Sequence, residues 1–126
     1  MSSVDNSTKS ILARACDPVM AQQAAAAIPA QIGNPEYVVT TSDLDFVEKL
    51  HSRQWSVVFF APGACRFSAA GQSIPGGNDE TRGWTLDEYR DLVRRTQGEQ
   101  VEIVETLHES ETLERLNAAL SIARAN

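Results

Sequence analysis

Residues 55–60 read Trp-Ser-Val-Val-Phe-Phe, and Ala61-Pro62 follows at once. A short β-branched and aromatic run that halts at a proline is the pattern of a strand buried on both faces. Such strands lie inside parallel sheets with helices packed on each side. The run therefore predicts an α/β fold in which Val57 and Phe59 face one layer of helices and Val58 and Phe60 the other. In folds of that kind ligands settle beyond the carboxyl ends of the strands. The connection through residues 62–83 leaves from that end.

Helix and strand signals alternate around this run. Residues 1–9 are polar and predict a flexible N-terminus, followed by a single domain over residues 10–126. Residues 11–16 are expected to form a short helical turn. Asp17-Pro18 reads as a helix start, with Met20, Ala24 and Ile28 as its packing face. Residues 29–35 hold two prolines and a glycine and read as a connector. A strand is expected over 37–40, then a helix over 43–52 capped by Thr41 or Ser42, with Leu44, Val47 and Leu50 on one face and Phe46 beside them. After the 55–61 strand, Thr85 and Glu88 form a capping box, with Trp84 and Tyr89 placed as a hydrophobic staple. That helix turns Leu86, Tyr89, Leu92 and Val93 inward and stops at Gly98. Alternation over 101–105 predicts another strand. A last helix over 111–123, capped by Ser110, carries Leu113, Leu116 and Leu120 inward. The expected architecture is a small three-layer sandwich: a short, mainly parallel sheet of about three strands with helices on both faces. Its two open edges need cover, which a homodimer would supply.

The totals narrow the function classes. The chain has 126 residues and a net charge of −6, with the ordinary apolar and charged content of a globular domain. Nucleic-acid binding calls for a basic surface, and the nearest cluster, Arg90, Arg94 and Arg95, is diluted by Asp87, Glu88 and Asp91. No segment approaches the roughly 18–20 apolar residues that cross a bilayer, and the first residues lack the apolar centre of a secretory signal. Neither nucleic acid nor membrane is an expected partner. Cys16 and Cys65 have no metal-type spacing and are expected as reduced thiols in a cytoplasmic setting.

The 62–83 connection contains five of the seven glycines. A long connection without periodicity tends to be functional or disordered. Glycines allow backbone N–H groups to approach a ligand, and Arg66 and Arg82 add positive charge, which suits an anion. Arg66, Ser68, Gly76, Gly77, Arg82 and Thr85 are the candidate ligand-binding residues. No nucleotide fingerprint is present, and no cofactor is predicted. Cys65 lies four residues beyond the strand, where Arg66 would favour its thiolate, and His108 is the better placed of the two histidines to serve as its base. His51 closes a helix at the opposite end of the sheet. Glu105, His108 and Glu109 read as a solvated turn, and no metal site is predicted.

Residues 46–68 resemble the strand-to-active-site segment of the thioredoxin family. A helix leads to an apolar strand ending Phe-Phe-Ala-Pro, and Cys65-Arg66-Phe67-Ser68 stands where that family has Cys-x-x-Cys or Cys-x-x-Ser. Gly63 and Ala64 replace the single residue usual between proline and cysteine. The resemblance implies a redox role for Cys65. Two readings follow. One is a non-catalytic recognition module that binds a small ligand, anionic or neutral, or a protein partner through the 62–83 loop at the C-terminal end of the sheet. The other is a thiol-dependent enzyme or thioredoxin-like redox protein using Cys65, with His108 as base.

Overall fold

The computed structural model describes residues 5–15, 18–60, 86–106 and 109–124. Within them the chain runs β1 (Ser10–Arg14), α1 (Pro18–Ala27), a 3-10 turn (Pro29–Gln31), β2 (Glu36–Thr40), α2 (Asp43–Ser52), β3 (Val57–Phe60), α3 (Leu86–Gln97), β4 (Glu102–Glu105), a second 3-10 turn (Glu109–Glu111) and α4 (Thr112–Ile122). The strands form one sheet in the order β2-β1-β3-β4, with every neighbouring pair parallel.

The α/β sandwich expected from the sequence is present, with one more strand than the three anticipated. The difference is β1. Residues 11–16 were expected as a helical turn, but Ser10–Arg14 is a central strand with all five residues buried. A strand covered on both faces shows no polar alternation, and over five residues such a run cannot be told from a buried helix segment by period. The arginine at its end disguised it further.

Alternation across the sheet builds two cores. On one face Leu12, Val58 and Phe60 pack beneath Phe46 and Leu50 of α2 and Tyr89 and Val93 of α3. On the other, Ile11, Ala13, Val57, Phe59 and Val104 pack against Leu116, Ala119 and Leu120 of α4, with Ile28 and Ile32 beside them. The two-sided burial of β3 is as its sequence predicts. Phe46, Phe60 and Tyr89 form an aromatic trio with ring centroids 5.8–6.4 Å apart in tilted and edge arrangements, a favourable geometry for aromatic pairs.

Local signals explain most element ends. The Ser42 side chain accepts the Asp45 N–H at 3.3 Å and starts α2. Gly98, at φ +84°, ends α3 by donating its N–H to the Arg94 carbonyl, the left-handed stop that glycine adopts without penalty. The expected Ser110 cap is not used: α4 begins directly from the second 3-10 turn, with Glu111 in helical geometry and no side-chain cap. That turn continues into the helix, so the residue before α4 lacks the extended backbone a cap needs. Two helix faces also differ from expectation. Met20 and Leu44 are exposed, and Ala21 takes the buried position on α1. On α2 the buried line runs through Asp43, Phe46 and Leu50, which turns Leu44 outward.

Before β1, Asn6 is buried and its Nδ2 donates to the Ile32 carbonyl at 2.7 Å. At the amino end of the sheet the buried Gln97 side chain accepts from the Trp55 N–H and donates to the carbonyls of Leu50 and Arg53. It ties α3 to the turn before β3.

Candidate functional site

Strand order decides where a site can form. From β1 the chain passes through α1 to β2 on one side. From β2 it passes through α2 to β3 on the other side of β1. The order therefore reverses between β1 and β3, and the two connections leave toward opposite faces. A parallel sheet opens a crevice at such a reversal, outside the carboxyl ends of the two strands.

The register fixes what lines that end. Thr40, Arg14 and Phe60 are successive partners across β2, β1 and β3, and Glu105 completes the row on β4. Partners in a parallel ladder share a face, so all four side chains lie on the α2–α3 side. Two carboxylate–guanidinium pairs stand on this row. Arg14 is wholly buried, and its Nε and Nη2 reach Asp43 Oδ1 at 3.0 and 2.8 Å. Asp43, at the first position of α2, is equally buried and accepts the Tyr89 hydroxyl on Oδ2. The remaining Arg14 Nη1 donates to the Ala15 carbonyl. Thr40 Oγ1 donates to the Ala13 carbonyl at 2.8 Å. Strand β1, the start of α2 and the first turn of α3 are thus locked together at the carboxyl end of the sheet. Toward the edge, Arg90 of α3 grips both oxygens of Glu105 and also bonds Asp87. The Glu105 hydrogen bond is the chief reason that the Arg90 guanidinium is held above its ordinary pKa.

Two further features mark the same end. Val19, Met20 and Leu44, in the first turns of α1 and α2, are large exposed apolar side chains at the rim. Thr106, immediately after β4, is buried, and its Oγ1 has no hydrogen-bond partner among the described residues. An orphaned buried hydroxyl costs about 1–3 kcal/mol.

The sequence-derived candidates Cys65, Arg66, Ser68, Gly76, Gly77, Arg82, Thr85 and His108 lie outside the described residues, as do Trp84 and the capping-box threonine. His51 is exposed at the end of α2, remote from the carboxyl ends of the strands. Of the residues grouped as a solvated turn, Glu105 is engaged by Arg90.

No family model, no curated protein and no solved structure matches this chain. The resemblance of residues 46–68 to the thioredoxin segment is therefore carried by those residues alone. No helix among the described residues is long and apolar enough to cross a membrane.

The Arg14–Asp43–Tyr89 network escaped sequence reasoning because its members come from three distant segments. One signal was available. That signal was an arginine ending an apolar run, which marks a charge in need of a partner but does not say which residue supplies it.

Proposed function

We propose that this chain is a non-catalytic recognition module that holds a small anionic ligand in the crevice above β1 and β3. The carrying observation is the reversal of strand order between those two strands. Support comes from the buried network beneath it, which supplies a rigid floor, and from the apolar rim of Val19, Met20 and Leu44. Residues 62–83 connect β3 to the next helix and bring Arg66, Ser68, Gly76, Gly77 and Arg82 into the same stretch of chain, with Thr85 just beyond. In this reading the two arginines carry the charge that recognises the ligand, and the protein works in a cytoplasmic setting with both cysteines reduced.

The test is hydrogen exchange of the whole protein, alone and with a panel of nucleotides, sugar phosphates and carboxylates. Binding is expected to slow exchange over residues 71–83 and at Ala15 and Ser42. Replacing Arg66 or Arg82 by alanine should weaken that protection with little change in melting temperature, because exposed charges contribute little to folding. Unprotected amides throughout 71–83 under every condition, cell extract included, would reject the module. Alkylation of Cys65 much faster than a model thiol at neutral pH would instead favour thiol chemistry.

A further inference from the structure

The outer flank of β4 carries a second arrangement, which adjoins the Arg90–Glu105 pair. Glu102 N–H bonds the Ser56 carbonyl on β3. Backbone groups alternate in direction along an edge strand, so those of Val101, Ile103 and Glu105 turn outward. Helices α3 and α4 overhang this edge from opposite faces, and each sends a guanidinium round it. Arg94 Nη1 donates to the Val101 carbonyl at 2.6 Å, and Arg115 Nη1 approaches the Glu105 carbonyl at 3.4 Å. Between them lies a groove of about 350 Å³ lined by Arg90, Arg94, Ile103, Glu105 and Arg115.

The charged groups of the groove differ in how fully they are engaged. Glu105 has both oxygens engaged by Arg90, so its charge is met. Arg94 spends only Nη1, on the carbonyls of Gly98, Glu99 and Val101, and pairs with no carboxylate among the described residues. Its Nε and Nη2 have no partner among the described residues. Arg115 is weakly held, at 3.6 Å from Glu111 and 3.4 Å from the Glu105 carbonyl, distances at which a hydrogen bond contributes little. Ile103, whose N–H turns outward by that alternation, stands on the strand between Val101 and Glu105, whose carbonyls the two guanidiniums approach. Planar guanidinium forks with donors to spare are the usual means of holding a phosphate or carboxylate.

We propose that this β4-edge groove binds a small oxyanion, a phosphate or a carboxylate, through Arg94, Arg115 and the Ile103 amide. Its volume lies near the lower end of small-ligand pockets, about 300–1,000 Å³, which fits one such group and a short appendage. Arg90 is a positioning residue here. By occupying Glu105 it removes the negative charge that would repel the ligand.

The full-length protein would be titrated with inorganic phosphate, and separately with malonate, at constant ionic strength while its backbone amide resonances are followed. Saturable shifts are expected at Ile103, Glu105 and Arg115. Arg94→Gln and Arg115→Gln should each weaken binding by about tenfold or more, whereas Arg95→Gln should change it by less than about twofold. Arg95 is on the same helix but pairs with Asp91 and does not line the groove. Saturation by one probe alone assigns the groove to that chemistry, and saturation by both makes it a general oxyanion site. If Arg94→Gln loosens the turn after α3 and melts early, Arg115→Gln carries the test. Shifts that never saturate, equal weakening by Arg95→Gln, or shifts confined to Ala15 and Ser42 would overturn the proposal. The last result would assign the anion to the β1–β3 crevice.

Discussion

Arg14 places a full positive charge inside the sheet, and Asp43 is what makes that position tolerable. Burying a guanidinium is costly, and breaking such a pair leaves the other charge stranded at a cost of about 3–5 kcal/mol. Asp43→Ala is therefore expected to lower unfolding stability by that order, because Arg14 loses the carboxylate that answers two of its nitrogens. The double variant Arg14→Met/Asp43→Leu should lose much less than the two single losses summed, since no uncompensated charge remains. Urea midpoints of wild type, Arg14→Met, Asp43→Leu and the double variant measure this. Additive losses would show that the pair acts through shape and not through charge. Reading this network from sequence would require knowing that residues 14, 43 and 89 meet. That depends on β1 entering the middle of the sheet, a fact that nothing local to Arg14 declares.

Elements were legible where their ends or faces carried a chemical marker. Ser42 and Gly98 fixed the start of α2 and the stop of α3, and the four apolar residues of β3 defined a strand with two covered faces. The marker was missing for β1, whose alanine and arginine fit a helix as well as a strand. It misled at Ser110, where a 3-10 turn runs into α4 without a cap. At Leu44 the helix was right but its face was not, because the buried line runs through Asp43, Phe46 and Leu50. Strand β2 provides a test at this scale. Tyr37, on the α1–α4 side, has its phenol pushed well above the ordinary value of 10.0 by burial. A folded-state value above the unfolded one gives stability that is complete below about pH 10 and is lost as pH rises from there. Tyr37→Phe should remove that alkaline loss, so the stabilities of wild type and variant should diverge above about pH 10. Parallel curves through that range would assign the alkaline loss to another group.

For the whole molecule, the decisive feature is that β1 and β3 serve as common walls of both cores. Phe59 and Phe60 are neighbours in sequence yet belong to opposite layers. Truncating either to alanine is expected to cost about 3–5 kcal/mol, a large share of the roughly 5–15 kcal/mol that holds a domain together. Because the layers share these strands, neither should survive loss of the other. Tryptophan fluorescence and far-UV circular dichroism should report one coincident transition in wild type and in both variants. Two separated transitions would show that the layers unfold independently. The candidate crevice was legible at this scale only as a place, the carboxyl end of a buried strand followed by a long glycine-rich connection. Strand order, from which the proposed position between β1 and β3 follows, depends on pairings between segments far apart in the chain.

That strand order also bears on synthesis. Among the described strands β1 is made first and stands in the interior of the sheet. β2 joins one flank of it, β3 the other, and β4 attaches outside β3. No strand has to wedge between two that are already joined. A polypeptide emerging from the ribosome in N-to-C order can enlarge this sheet by accretion, each arriving strand meeting an open edge of what has already formed.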